Sequence, residues 1–273
     1  MLIDTHSHFG IVPVGESLQG ALERSRKAGV VCGLITTGTH EDFEKARLAA
    51  RRIGWGYCVG IHPIFVHRVS EDALLSLESF LTDHIDDPYL IGIGEIGLDF
   101  YIEDPDRKRQ EYFFKRQMAL AARFALPVSI HARRSLYRVI EVMDEYRSVS
   151  GSVHAFPGSP EQAREVLKRG YGIGIGGALT YPGSKRLRRC AAAVEADALL
   201  LETDAPDMPP SFNAKGQSEP AYLAAYLEEL SRIRGEDAAG LQEQIFKNTL
   251  RFFPRLKGCL PPGLDCVQAD WCK

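Results

Sequence analysis

The chain has 273 residues, room for two small domains or one large one, since a single closed α/β barrel typically takes ~250 residues. Hydrophobic residues make up 45% and charged residues 25%, which excludes the biased compositions of disordered and fibrous chains. A formal charge of −3 excludes the basic excess of a dedicated nucleic-acid binder, so any contact with nucleic acid must be local.

The opening run, residues 2–5 (LIDT), leads into His6 and His8. Charge and histidine stand there where a signal peptide needs its apolar region, and no later run approaches the ~20 apolar residues of a membrane span. A cytoplasmic protein without membrane contact is expected. Helical spacing over 16–28 follows, with Leu18, Ala21, Leu22, Ser25 and Ala28 on one face before Gly29. The alternation then repeats. Apolar runs at 30–36, 55–61, 89–95, 127–130, 151–154, 171–176 and 198–203 are separated by helical segments. Two of those segments carry start signals: Ser70 before Glu71-Asp72, and Ser159-Pro160-Glu161-Gln162 with the pattern of a capping box.

Most of the eight runs are apolar on both faces, as parallel strands buried between helices and a core must be. Strict alternation implies right-handed crossovers, and eight units favour a single-domain (β/α)8 TIM barrel over residues 1–253. The competing doubly wound sheet would place a glycine-rich phosphate turn after the first strand, where this chain has "DTHSHFG". Helical patterns near 219–233 and 237–252 complete the last unit, and residues 254–273 read as a loosely ordered tail containing Pro, Gly and Cys. Of six cysteines, Cys32 and Cys58 sit in apolar runs as small hydrophobes. Cys259, Cys266 and Cys272 lack CxxC spacing and read as free thiols rather than a zinc knuckle or a terminal disulfide.

A barrel of this kind carries its chemistry at the C-terminal ends of its strands. There the sequence sets His6 and His8, His62, Glu95, His131, His154, and the pair Glu202 and Asp204. His6 and His8 stand two apart on extended chain, so both imidazoles face one side and can grip one cation. Five of the eight histidines fall at strand ends, which makes His131 and His154 candidate ligands rather than ordinary core histidines. Glu95 closes a very apolar run, where a carboxylate is costly to bury unless paired. Its partner is a metal pair or, failing that, an arginine such as Arg133. Asp99 caps a turn or faces solvent unless it too is functional. Asp204, farther toward the loop, suits a combined ligand and general base, while Glu202 supports the ligands from behind or sits in a buried ion pair.

These residues in this order resemble the TatD family of metal-dependent deoxyribonucleases, a branch of the amidohydrolase-like barrels. The resemblance runs through "IDTHSHF" (3–9), "GIHP" (60–63), "GEIGLD" (94–99), "HARRS" (131–135), "HAFPGS" (154–159), "GIGG" (174–177), "ETDAPDMP" (202–209) and "IFKNTLRFF" (245–253). It implies that His6, His8, Glu95 and Asp204 hold one metal, and Glu95, His131 and His154 a second, with Glu95 bridging. Ser218 stands where many relatives carry asparagine, which bears on substrate preference. Two cations ~3.5–4 Å apart lower the pKa of a shared water and so favour hydrolysis; the resemblance implies a phosphodiester hydrolase acting on DNA, and the modest net charge favours ends or short single strands. His62 and Arg133 are candidate phosphate binders, although Arg133 reads equally as a surface charge near Arg134 and Arg138. Imidazole-rich ligation favours zinc or manganese over magnesium. The alternatives are a C–N bond hydrolase on the same barrel, or a non-catalytic metal-binding barrel.

Overall fold

The computed structural model describes residues 1–15 and 17–263. Eight parallel strands form one sheet in chain order: β1 (Leu2–Ser7), β2 (Val30–Thr36), β3 (Gly56–Val59), β4 (Leu90–Asp99), β5 (Val128–Arg133), β6 (Gly151–Val153), β7 (Tyr171–Ile175) and β8 (Leu199–Leu201). Between them run α1 (Leu18–Lys27), α2 (Phe43–Ile53), α3 (Asp72–His84), α4 (Arg107–Phe124), α5 (Leu136–Glu145), α6 (Pro160–Leu167) and α7 (Lys185–Ala193); α8 (Leu223–Arg234) and α9 (Ala238–Phe252) follow the last strand. This is the (β/α)8 barrel that the apolar alternation implies. Among the described residues no helix is long and apolar enough to cross a membrane.

The helix starts are set locally. Ser159 caps α6 by accepting from the Gln162 N–H while the Gln162 side chain accepts from the Ser159 N–H, completing the capping box around Pro160. Ser17 caps α1 through the Gly20 N–H, and the expected first residue of that helix, Glu16, lies outside the described residues. Ala21, Leu22 and Ser25 of its expected apolar face are buried.

Strand β8 returns to β1 at a seam made largely of side-chain bonds. The Thr203 N–H donates to Asp4 Oδ1 at 2.9 Å, and Thr5 Oγ1 donates to the Leu201 carbonyl at 2.9 Å. Two backbone bonds, Asp204 N–H to the His6 carbonyl (2.9 Å) and His8 N–H to the Ala205 carbonyl (2.8 Å), join the strand ends. The seam therefore fixes His6, His8 and Asp204 relative to one another.

Two expectations need correction. Strand β4 does not end at Glu95; it continues to Asp99, with Gly97 opposite His131 and Asp99 opposite Arg133 across β5. Gly97 makes this possible, because it takes φ +137° and a Cβ there would meet the His131 carbonyl oxygen at 2.1 Å. Nor does packing stop at residue 253: a 3-10 turn over Pro254–Cys259 buries Leu256 and Cys259. With Phe246, Leu250, Phe252 and Phe253 these close one end of the barrel against Ile3, Cys32, Leu34, Cys58, Ile91 and Leu200. Cys32, Cys58 and Cys259 are free thiols, and Cys266 and Cys272 lie outside the described residues.

Candidate active site

At the opposite end of the barrel one carboxylate lies among five imidazoles. Glu95, almost fully buried, points its two oxygens at different groups. Oε2 lies 3.2 Å from His6 Nε2 and 3.6 Å from His8 Nε2. Oε1 lies 2.7 Å from His154 Nε2, 2.9 Å from His131 Nδ1 and 3.0 Å from His62 Nε2. Asp204 completes the first group, with Oδ1 3.5 Å from His6 Nε2 and 3.6 Å from His8 Nε2. Glu202 stands behind His154, its Oε1 accepting from the Ala155 N–H and lying 3.8 Å from His154 Nδ1.

The groups around the imidazoles fix which ring nitrogens are free. His8 Nδ1 faces the Thr36 carbonyl at 3.0 Å, and because a carbonyl only accepts, Nδ1 carries the proton and Nε2 presents a lone pair to the cluster. His62 is turned the other way: its Nδ1 accepts from the Ile64 N–H at 3.1 Å, so the proton of the neutral ring sits on Nε2 and donates into the site. His6 Nδ1 meets Ser129 Oγ at 2.8 Å. The His6 and His154 rings stack 3.8 Å apart and nearly parallel, a geometry unfavourable to two imidazolium charges.

His131 has a carboxylate at each end, Glu95 on Nδ1 and Asp99 Oδ2 at 3.0 Å from Nε2. Asp99, expected to cap a turn or face solvent, instead lies buried against the cluster. It lies four residues beyond Glu95 on the same strand, and both carboxylates reach His131, Glu95 at Nδ1 and Asp99 at Nε2. That placement becomes visible once β4 is known to run on through "IGLD".

The charges are not balanced by the chain alone. Burial pushes Glu95 upward, but the surrounding imidazoles of His62, His154 and His6 outweigh it and hold its carboxyl well below the usual range. Burial, reinforced by Glu95 and Glu202 against an opposing pull from His154, pushes Asp204 well above its ordinary value. Glu202 is driven up mainly by burial as well. His6 is lowered to about 3, first by burial and then by His154. For His131 burial acts downward, but hydrogen bonds to Asp99 and Glu95 prevail and raise it to about 9. Asp204 Oδ1 is buried with no hydrogen-bond partner among the described residues. The inward lone pair of His8, an orphaned carboxylate oxygen and an excess of buried acid fit a cation, and the cluster contains several sets of three residues able to hold one.

The cluster opens into a cavity of about 760 Å³ lined by His8, Phe65, Ile102 and Arg133 among others. Arg133 ends β5 with an exposed guanidinium at this mouth, so the structure sets it beside the cluster but outside it. Ser218 is buried and donates to the Thr203 carbonyl at 3.0 Å, so it braces the seam beneath Asp204.

Residues 3–254 match the model of a family described as TatD related DNase. An uncharacterized metal-dependent hydrolase from Escherichia coli K12, YjjV, is 32% identical over 253 residues, spanning 92% of this chain and 97% of its own length. The crystal structure of that TatD homologue superposes with a TM-score of 0.87, covering 93% of this chain and 98% of its own. A Cronobacter sakazakii protein named 3'-5' ssDNA/RNA exonuclease TatD is 34% identical over 249 residues, 88% of this chain and 92% of its own length.

Proposed function

The chain belongs to the TatD-related DNase family of metal-dependent hydrolases, and from that premise we propose that it cleaves phosphodiester bonds at the ends of short or single-stranded DNA. The observation that carries this reading is the division of Glu95, with Oε2 turned to His6 and His8 and Oε1 to His131 and His154. Divalent cations would be held there by two groups of residues: His6, His8, Glu95 and Asp204 in one, and Glu95, His131 and His154 in the other. Nitrogen donors favour zinc or manganese over magnesium. When bound, such cations supply Lewis acidity for activating a water and for neutralising charge on the attacked phosphate.

The chain's own groups do the rest. Asp204 takes the proton of the attacking water as a new oxygen–phosphorus bond forms and the bond to the leaving sugar oxygen breaks. Its position at the end of the seam, beside His6 and His8, suits it both to help hold a cation and to receive the proton. His62 donates from Nε2 to a phosphate oxygen, the direction its Ile64 contact dictates. Arg133 anchors the phosphate from the mouth. Asp99 orients His131 through its 3.0 Å contact with Nε2, while Glu202 stands 3.8 Å behind His154 and adds negative charge there. The low net charge favours short or single-stranded substrates, because tracking a long duplex needs many Lys and Arg. The Cronobacter relative, named a 3'-5' ssDNA/RNA exonuclease, extends the substrate class to be tested to RNA.

Manganese-loaded protein assayed on a single-stranded DNA oligonucleotide, its RNA counterpart, a cyclic amide and a generic ester, with mass analysis of products, tests the proposal. Stepwise release of nucleotides from the oligonucleotide is expected. Turnover of the amide alone would replace phosphodiester cleavage with C–N hydrolysis.

A further inference from the structure

Beside the mouth, three side chains outside the ligand cluster form one assembly. Tyr101 follows the end of β4, its N–H held at 2.9 Å by Asp99 Oδ1, and its ring is 48% exposed. Arg133 closes β5, and Arg134 comes next with φ +54°, a left-handed backbone conformation that is uncommon for a long side chain. The two guanidinium carbons stand 3.9 Å and 4.3 Å from the centre of the Tyr101 ring. Both arginines are exposed, and neither makes an ion pair among the described residues. The acid at this point of the sheet, Asp99, is occupied by His131.

Two neighbouring guanidinium groups without a direct ion-pair partner among the described residues repel one another and would ordinarily spread into solvent. Here one aromatic ring holds both through cation–π contacts. The ring thus offsets part of the entropy otherwise lost when two long side chains become ordered on a ligand. What the assembly presents is a pair of planar donors on one ring, of which Arg133 lines the cavity that contains the Glu95 cluster and Arg134 is the next residue along the chain. Planar guanidinium groups match the oxygens of a phosphate.

Building on the proposed phosphodiesterase reading, we propose that Arg134, held beside Arg133 by the Tyr101 ring, binds a second phosphate, one nucleotide removed from the bond being cleaved. Arg133 serves the near phosphate and Arg134 the next. The site then selects an oligonucleotide over a small diester that carries a single phosphate. The ring of Tyr101 is a positioning group in this assembly, and its hydroxyl is dispensable.

A labelled thymidine octanucleotide bound to metal-free protein, followed by fluorescence anisotropy across a salt series, tests binding without cleavage. Arg134→Ala should lower the slope of log affinity against log salt by about 0.7, the value for one phosphate contact on a single strand. Tyr101→Leu should weaken octanucleotide binding, and Tyr101→Phe should restore it. With manganese, the KM for the octanucleotide should rise roughly tenfold relative to that for bis(p-nitrophenyl) phosphate in Arg134→Ala and in Tyr101→Leu, as expected for losing a charged hydrogen-bonded contact. An unaltered salt slope in Arg134→Ala, or equal loss in Tyr101→Phe and Tyr101→Leu, overturns the assignment. Failure of the wild-type protein to cleave any phosphodiester would instead strike the reading beneath it, and the anisotropy series would still decide the second phosphate.

Discussion

The two ends of this barrel are built on opposite principles. At the floor, Phe253, Leu256 and Cys259 cover Ile3, Cys32, Leu34, Cys58, Ile91 and Leu200, an apolar plug. At the mouth, Glu95, Asp99, His154 and Glu202 are as deeply buried as the floor residues, yet all are polar or ionisable. Apolar burial stabilises at about 25 cal/mol per Å², whereas buried acids are costly unless paired. The same strands supply both: β1 gives Ile3 to the floor and His6 to the mouth, β4 gives Ile91 and Glu95. The difference teaches that the floor holds the barrel together while the mouth spends part of that stability on a site that cations complete.

If so, damage to the two ends should be separable. The largest effect on stability is expected at Phe253, fully buried in the plug: Phe253→Ala should destabilise by about 3–5 kcal/mol in urea unfolding. The fraction that remains folded should still take up metal with wild-type affinity. A loss of metal affinity in that folded fraction would show that the two ends are coupled.

Asp204→Asn breaks the comparison from the other side. Asparagine can still offer an oxygen to a metal but does not take the water's proton as a carboxylate does. The variant should keep its fold and much of its metal and lose at least ~10²-fold in turnover. Near-wild-type kcat in the metal-loaded variant would send the proton elsewhere, with Glu202 the next candidate.

Asp99→Ala should act more mildly, lowering metal affinity by roughly 10- to 100-fold without unfolding the chain, as the loss of a carboxylate behind a ligating histidine does. It also carries a pH signature in the metal-free protein. His131 is raised above its ordinary value of 6.5 to about 9, so its contribution to stability is fully present below pH 6.5 and is lost as pH rises through 9. Asp99→Ala should flatten the wild-type decline between those values. An unchanged profile would remove Asp99 as the partner that holds the His131 proton.

The floor and mouth were not equally legible in the sequence. The barrel could be read because parallel strands buried on both faces leave near-continuous apolar runs, and the mouth because histidines interrupt those runs at their ends. Three things were hidden. The polar Glu95 read as the end of β4, although Gly97 lets the strand run on, and with the strand's end went the role of Asp99. The Pro- and Gly-containing segment after residue 253 read as a tail, because composition does not reveal that Leu256 and Cys259 find a hydrophobic cover. The seam between Asp4 and Thr203 is a contact between side chains far apart in sequence, for which neither periodicity nor spacing leaves a trace.

The central claim, that the mouth acts through cations which the rest of the barrel does not need, is tested most directly by removing them. Chelated protein, shown by elemental analysis to be free of metal, should cleave no oligonucleotide while its far-UV circular dichroism stays largely unchanged, because the barrel core supplies most of the buried surface. Titration with manganese should restore cleavage, and activity should saturate at two ions per chain. Full cleavage by the metal-free protein would contradict the account.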